Sequence, residues 1–159
     1  MSSDIENTFK EKFYECNKHV EKINIAKKHL SSIMPLSVMS YLALNDVDMS
    51  FIDQLIFRFS KLQDTMGEKI FPSILILSQE DVKKKTFIDI LNRLEELEVL
   101  NKVRWLSLRE TRNEIAHEYS FNTEEVVDGI NDIFRASDEL IDIYNIVEKF
   151  CKQKFLFLE

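Results

Sequence analysis

Apolar residues recur every three or four positions along most of the chain, which is the spacing of one helix face. Over residues 5–30 the spacing is regular, and lysines fill many of the positions between. This segment therefore predicts one long amphipathic helix, whose apolar positions are Ile5, Phe9, Phe13, Cys16, Val20, Ile23 and Leu30.

A second, shorter helix is predicted over residues 35–44, because proline suits the first turn of a helix. Residues 45–48 break the pattern, and Ser50 with Asp53 three positions later resembles a helix start. Gly67 and Pro72 predict a kink or stop at the far end of the helix that follows. The apolar stripe of that helix is Phe51, Ile52, Leu55, Ile56, Phe59, Leu62 and Met66.

The second half of the chain predicts three more helices. Residues 78–81 resemble an N-terminal cap, and the helix after them is expected to bury Phe87, Ile88, Leu91, Leu94 and Leu97. A break at residues 101–102 precedes a helix over about residues 103–119. Asn122 with Glu125 caps the last helix, which has the stripe Val126, Ile130, Ile133, Leu140, Tyr144, Val147 and Cys151. The expected fold is all-α, an up-and-down bundle of five to six helices with short connections.

Composition fits a single domain over residues 1–159. The 159 residues contain only 2 Gly and 2 Pro, too few for a turn-rich all-β fold. No apolar run approaches the length of a membrane span and no leader opens the chain, so we expect a cytoplasmic protein without membrane association. The net charge of −7 argues against a non-specific DNA coater but does not exclude an enzyme with one small RNA site. Cys16 and Cys151 fall on apolar stripes and are interpreted as small buried hydrophobes.

The segment 105–119 departs from an ordinary core pattern. Trp105, Arg109, Arg112, Ala116 and Tyr119 lie on one helical stripe, and a stripe of this composition is a poor core face. His117 follows Arg112 by five positions, which places the two side chains roughly 140° apart around a regular helix. A twofold-related copy of the helix would bring them together, so this spacing leads to the hypothesis of a homodimer with a composite site.

Arginine and histidine side chains suit RNA cleavage without a metal. One group removes the proton of the 2′-hydroxyl and another protonates the leaving 5′-oxygen, and histidine suits either role because it titrates near neutral pH. A guanidinium such as that of Arg112 stabilises the charge that builds on the phosphate oxygens. Asn113 is placed to orient the phosphate or the imidazole.

The run Arg-Asn-Glu-Ile-Ala-His-Glu-Tyr at residues 112–119 resembles the R-x-x-x-x-H-x-Y signature of HEPN-domain toxins of the HepT type. Residues 53–59 and Gly67-Glu68 are similar to HEPN helices, though less specifically. The resemblance covers about residues 50–150 and implies an HEPN-like bundle. Residues 1–45 lie outside it and form an N-terminal helical extension of uncertain role.

The resemblance implies a function for each position of the motif. Arg112 and His117 would be the catalytic pair of a metal-independent endoribonuclease that uses no cofactor, with Asn113 in support. The protein would be the toxin of a HEPN–MNT toxin–antitoxin pair and would form a homodimer. Tyr119 would accept AMP from the minimal nucleotidyltransferase (MNT) antitoxin. The added bulk and negative charge would then occupy the place of the RNA phosphate.

Several residues outside the motif are candidate helpers. Glu68 or Asp53 is expected to hold Arg112 by a salt bridge, and Arg109 is a possible supporting residue. The run Lys83-Lys84-Lys85 is a candidate RNA contact, although such a run is more often a solvated face.

Two other classes of function compete with the ribonuclease. One is a catalytically idle HEPN-like module that binds, or serves as scaffold for, a nucleotidyltransferase. The other is a metal-binding bundle, because Glu114-x-x-His117 has the spacing that di-iron carboxylate bundles use. Arg112 beside such a site would repel a cation, so no metal is expected.

Overall fold

The computed structural model describes residues 2–114 and 121–158. These residues form α1 (Ser2–Leu30), α2 (Val38–Leu42), α3 (Asp46–Thr65), a π-helical turn (Met66–Ile70), α4 (Phe71–Leu77), α5 (Phe87–Glu96), α6 (Lys102–Glu114), α7 (Thr123–Lys154) and a 3-10 turn (Leu156–Leu158). Helix α3, the π turn and α4 follow each other without a break. Counted as one continuous segment, these three join α1, α2, α5, α6 and α7 to give six helical segments and no strand among the described residues. This confirms the predicted all-α bundle.

The core lies between α1, α3 and α7, the three longest helices. Helix α1 packs along α3, and α7 packs against both. Two polar contacts fix α7 in the bundle: the buried Tyr144 hydroxyl donates to Asn17 Oδ1 of α1 at 2.7 Å, and Asn131 exchanges two hydrogen bonds with the backbone of Leu36. Cys16 and Cys151 are fully buried, and burial raises the pKa of each thiol to about 12, as expected for small core residues.

Two helix starts were predicted wrongly in the first half of the chain. Helix α2 begins at Val38 rather than at Pro35, because Ser37 forms a capping box with Ser40. Helix α3 begins at Asp46, where the Asn45 side chain accepts from the Asp48 N–H at 2.8 Å. Ser50 therefore lies inside α3 and donates to a carbonyl of its own helix instead of capping it.

The predicted cap at residues 78–81 is also wrong. Ser78 ends α4, and its hydroxyl donates to the Ile74 carbonyl at 2.7 Å. Thr86 caps α5 instead, and the buried face of α5 is Ile90, Leu91 and Leu94. Ile88, which was expected in the core, is 45% exposed, and Phe87 and Leu97 are half-buried. At the last helix the prediction is confirmed, since Asn122 is the N-cap of α7.

Gly67 and Pro72 do not stop the helix that carries them. The chain widens into the π turn at Met66–Ile70 and then continues as α4, with Pro72 in its first turn. The wider turn accommodates a proline ring that would clash with the carbonyl four residues earlier in a regular α-helix. The π turn packs closely against α6. A Cβ added at Gly67 would lie 3.4 Å from the Trp105 side chain of α6.

Candidate functional site: two grooves that meet at Arg112

Arg112 lies on the last turn of α6, and its guanidinium pairs with Asp64 of α3. The distances are 3.3 Å from Nε to Oδ1 and 3.2 Å from Nη2 to Oδ2. Both side chains are about one-third exposed, at 32% and 37%. The two-point contact fixes the plane of the guanidinium. The pair does not use Nη1.

The predicted partners of Arg112 were wrong, because neither Asp53 nor Glu68 forms this salt bridge. Asp53 lies three helical turns before Asp64 on α3, too far along the helix to reach the end of α6. Glu68 belongs to the π turn, four residues after Asp64, and Arg112 pairs with Asp64 instead. Sequence periodicity gave no signal for Asp64, since it flanks the apolar stripe as many solvated carboxylates do.

A groove of about 540 Å³ lies between the π turn and α6, and we call it the α6 groove. It brings together four predicted site residues, Arg109, Arg112, Asn113 and Glu68. With Asp64, the charged lining contains two guanidinium groups and two carboxylates. The lining is Gln63, Asp64, Gly67, Glu68, Pro72, Phe87, Ile90, Trp105, Arg109, Arg112 and Asn113.

A second groove of about 700 Å³ runs along the other side of α3, and we call it the α3 groove. Its lining includes Phe57, which is 52% exposed, and Lys61, whose Nζ lies 5.7 Å from the Phe57 ring centroid. Arg112 and Asp64 line both grooves, so their ion pair forms the boundary between them. The lining is Tyr41, Met49, Ile52, Asp53, Ile56, Phe57, Ser60, Lys61, Asp64, Arg112, Val126 and Ile130.

The predicted stripe on α6 runs from the core to the groove. Trp105 is 1% exposed and packs edge-on against Phe71 with ring centroids 4.6 Å apart, so the expectation that this stripe is a poor core face was wrong at its first position. Arg109 lies over the Phe87 ring at 4.8 Å. Arg104 points elsewhere and pairs with Glu139 of α7 at 2.8 Å.

The remaining members of the motif, Ala116, His117 and Tyr119, lie outside the described residues, so their predicted roles stay predictions. The other two histidines have partners away from both grooves. His19 Nδ1 lies 3.0 Å from an Arg58 nitrogen, and burial followed by the Arg58 charge lowers its pKa. His29 bonds to Asp48 at 3.0 Å.

Sequence reasoning also missed Gln63, which lines the α6 groove. A signal was present, because Gln63 is four residues after Phe59 on the apolar side of α3 and is 3% exposed. A polar residue at a core position of a helix is an anomaly that can be read from the sequence.

The three lysines at residues 83–85 are exposed and lie in the turn before α5. The Lys83 N–H donates to Asp81 Oδ1 at 2.9 Å. None of the three lines either groove, and their contact with RNA stays a prediction.

Within residues 2–114 and 121–158, no cluster of three His, Cys, Asp or Glu side chains is arranged to hold a metal ion. His117 is not among these residues, so the Glu114-x-x-His117 alternative is untested. None of the helices described is both long enough and apolar enough to cross a membrane.

Comparisons of the chain with protein-family models, with curated proteins and with solved structures find no match. The functional interpretation therefore depends on the motif at residues 112–119 and on the side chains around Arg112.

Proposed function

We propose that this protein is a metal-independent endoribonuclease, the toxin of a HEPN–MNT toxin–antitoxin pair. One observation carries the proposal: the first two residues of the motif, Arg112 and Asn113, line a groove, and Arg112 lies where two grooves meet. A phosphodiester at Arg112 has room on both sides for the flanking nucleotides of an RNA strand. An idle scaffold would not need a guanidinium at that junction.

The reaction that these residues suit is transfer of the phosphoryl group to the neighbouring 2′-oxygen. The 2′-hydroxyl loses its proton to a base, its oxygen forms a bond to phosphorus, and the bond from phosphorus to the 5′-oxygen breaks. The 5′-oxygen takes a proton from an acid. The His117 of one copy supplies one of these roles beside the Arg112 of the other copy, and water exchanges the second proton.

Arg112 contributes by stabilising charge on the phosphate as the reaction proceeds. Its Nη1 edge is not used by the ion pair, so it is available to donate to a phosphate oxygen. Asp64 is a positioning residue, because it holds the guanidinium plane without touching the reacting atoms. The Asn113 amide adds a neutral donor close by.

Attraction of RNA to this site depends on direct contacts rather than on a long-range field. The chain carries a net charge of −7, and the α6 groove balances two guanidinium groups with two carboxylates. A nucleotide attached to Tyr119 by the antitoxin would add bulk and negative charge on the same stripe. It would then exclude an RNA phosphate from Arg112 by occupancy and repulsion.

The chemistry of the RNA ends tests this proposal. Purified protein in chelator is expected to cut RNA and leave 2′,3′-cyclic phosphate and 5′-hydroxyl ends, because the 2′-oxygen is the nucleophile. An oligonucleotide with a 2′-deoxy sugar at the cleavage position should stay intact, with the all-ribose oligonucleotide as its control. Cleavage that requires a divalent metal or leaves 5′-phosphate ends would overturn the mechanism.

A further inference from the structure

The described residues contain two polar side chains that are almost completely buried, Gln63 and Ser137. Ser137 is hydrogen-bonded, since its hydroxyl accepts from Lys27 Nζ and donates to the Phe134 carbonyl, both at 2.8 Å. Gln63 has no partner among the described residues for either its amide nitrogen or its amide oxygen. The indole N–H of Trp105 is buried without a partner as well.

Burying polar groups without hydrogen-bond partners destabilises the folded state. Each unsatisfied donor or acceptor lowers the free energy of unfolding, whereas a leucine at position 63 would carry no such penalty. All three unpartnered atoms belong to residues that line the α6 groove, and none of the residues involved lines the α3 groove. Their location points to a ligand that supplies the missing partners.

The shape of the α6 groove favours a flat ligand. Its volume of about 540 Å³ falls in the usual range for small-molecule sites. Gly67 presents only backbone to the groove, and the Phe87 ring supplies an aromatic face. The π turn is a further sign, because single π turns inside α-helices are frequent at functional sites.

We propose that the α6 groove binds one nucleobase of the RNA, on the nucleotide beside the phosphate at Arg112. The Gln63 amide pairs with a base edge that has a donor next to an acceptor, and the Trp105 N–H donates to a further acceptor. The base enters when the exposed Arg109 side chain moves off the Phe87 ring, on which the base then stacks. The identification of the base as part of RNA rests on the proposed function, whereas the base site itself does not.

Trp105 is the only tryptophan of the chain, so one indole N–H resonance reports on the groove. We expect a saturable downfield shift of that resonance when at least one of AMP, CMP, GMP and UMP is added to nitrogen-15-labelled protein. The shift should be absent with inorganic phosphate and lost in Gln63→Leu. A resonance that no nucleotide shifts, or that phosphate alone shifts equally, would overturn the base site.

The two buried polar residues provide a matched pair of variants. Gln63→Leu is expected to raise Tm, because it removes unsatisfied groups, and to weaken base preference next to the cleaved bond about tenfold. Ser137→Ala is expected to lower Tm, because it removes the hydroxyl that accepts from Lys27 Nζ, and to keep both the nucleotide shift and the base preference. Gln63→Met replaces the leucine variant should that chain fail to fold. A Gln63 variant with lower Tm and unchanged nucleotide binding would contradict the proposal.

These readouts separate the base site from the ribonuclease. Nucleotide-dependent shifts without any RNA cleavage would retain the base site and remove the proposed function. RNA cleavage without such shifts, and without a change of base preference in the Gln63 variants, would retain the ribonuclease and remove the base site.

Discussion

Replacement of Arg112 by alanine is expected to slow RNA cleavage by about 100- to 1,000-fold, because it removes a preorganised donor from the developing charge on the phosphate. The fold should survive, since Arg112 is a half-buried residue in the last turn of α6 and its ion pair with Asp64 is about one-third exposed to solvent. An ion pair of this kind contributes at most about 1 kcal/mol to the free energy of unfolding. Cleavage rates and thermal unfolding of the two proteins measure both quantities.

Arg104 provides the matched control on the same helix. Its ion pair with Glu139 is similarly exposed, at 42% and 40%, but it faces α7 instead of the grooves. Arg104→Ala should therefore change Tm about as much as Arg112→Ala does and leave the cleavage rate close to that of wild type. Equal loss of activity in the two variants would show that Arg112 acts through stability or general charge, and the proposed role would be wrong.

A mixed dimer is expected to recover activity that both of its parent variants lack. Arg112→Ala and His117→Ala homodimers should each retain at most about one hundredth of the wild-type rate. A heterodimer isolated through two different affinity tags contains one composite site in which both residues are intact, so we expect about half of the wild-type rate. The reason is the spacing of five residues, which on one helix separates the two side chains by about 140°.

Two results would contradict a composite site shared between two copies. A heterodimer as inactive as its parents would show that Arg112 and His117 act within one chain. A wild-type protein that is active as a monomer in light scattering would remove the dimer hypothesis altogether. A heterodimer of two Arg112→Ala chains with different tags is the control for the tags and the isolation procedure.

The helical fold could be predicted from the sequence because each long helix buries a regularly spaced stripe of apolar residues. Three- and four-residue spacing located α1, α3 and α7, whereas the predicted starts of α2, α3 and α5 were wrong. At Ser50 and Ser78 the error has one physical cause. A serine hydroxyl can donate to a carbonyl of its own helix as readily as it can cap the next one, and local sequence does not distinguish the two.

The candidate site was predictable in part. The motif and its stripe placed Arg109, Arg112 and Asn113 on one groove, since their positions follow from a single helix. The partner Asp64 was not predictable, because it depends on how α3 is turned against α6 across 48 positions of sequence. The position of the Arg112–Asp64 pair as a boundary between the two grooves depends on the same packing, so it was not predictable either. Gln63, by contrast, was visible as a polar residue inside an apolar stripe.

The central claim, that residues 112–119 form the site of a metal-independent ribonuclease, is tested most directly by one comparison. Purified wild type and His117→Ala are incubated with total cellular RNA in chelator, and the RNA is examined for discrete fragments. The account predicts fragments with the wild type and intact RNA with the variant. Intact RNA in both reactions, with mass spectrometry showing no AMP on Tyr119 of the wild type, would contradict it and favour an idle binding module.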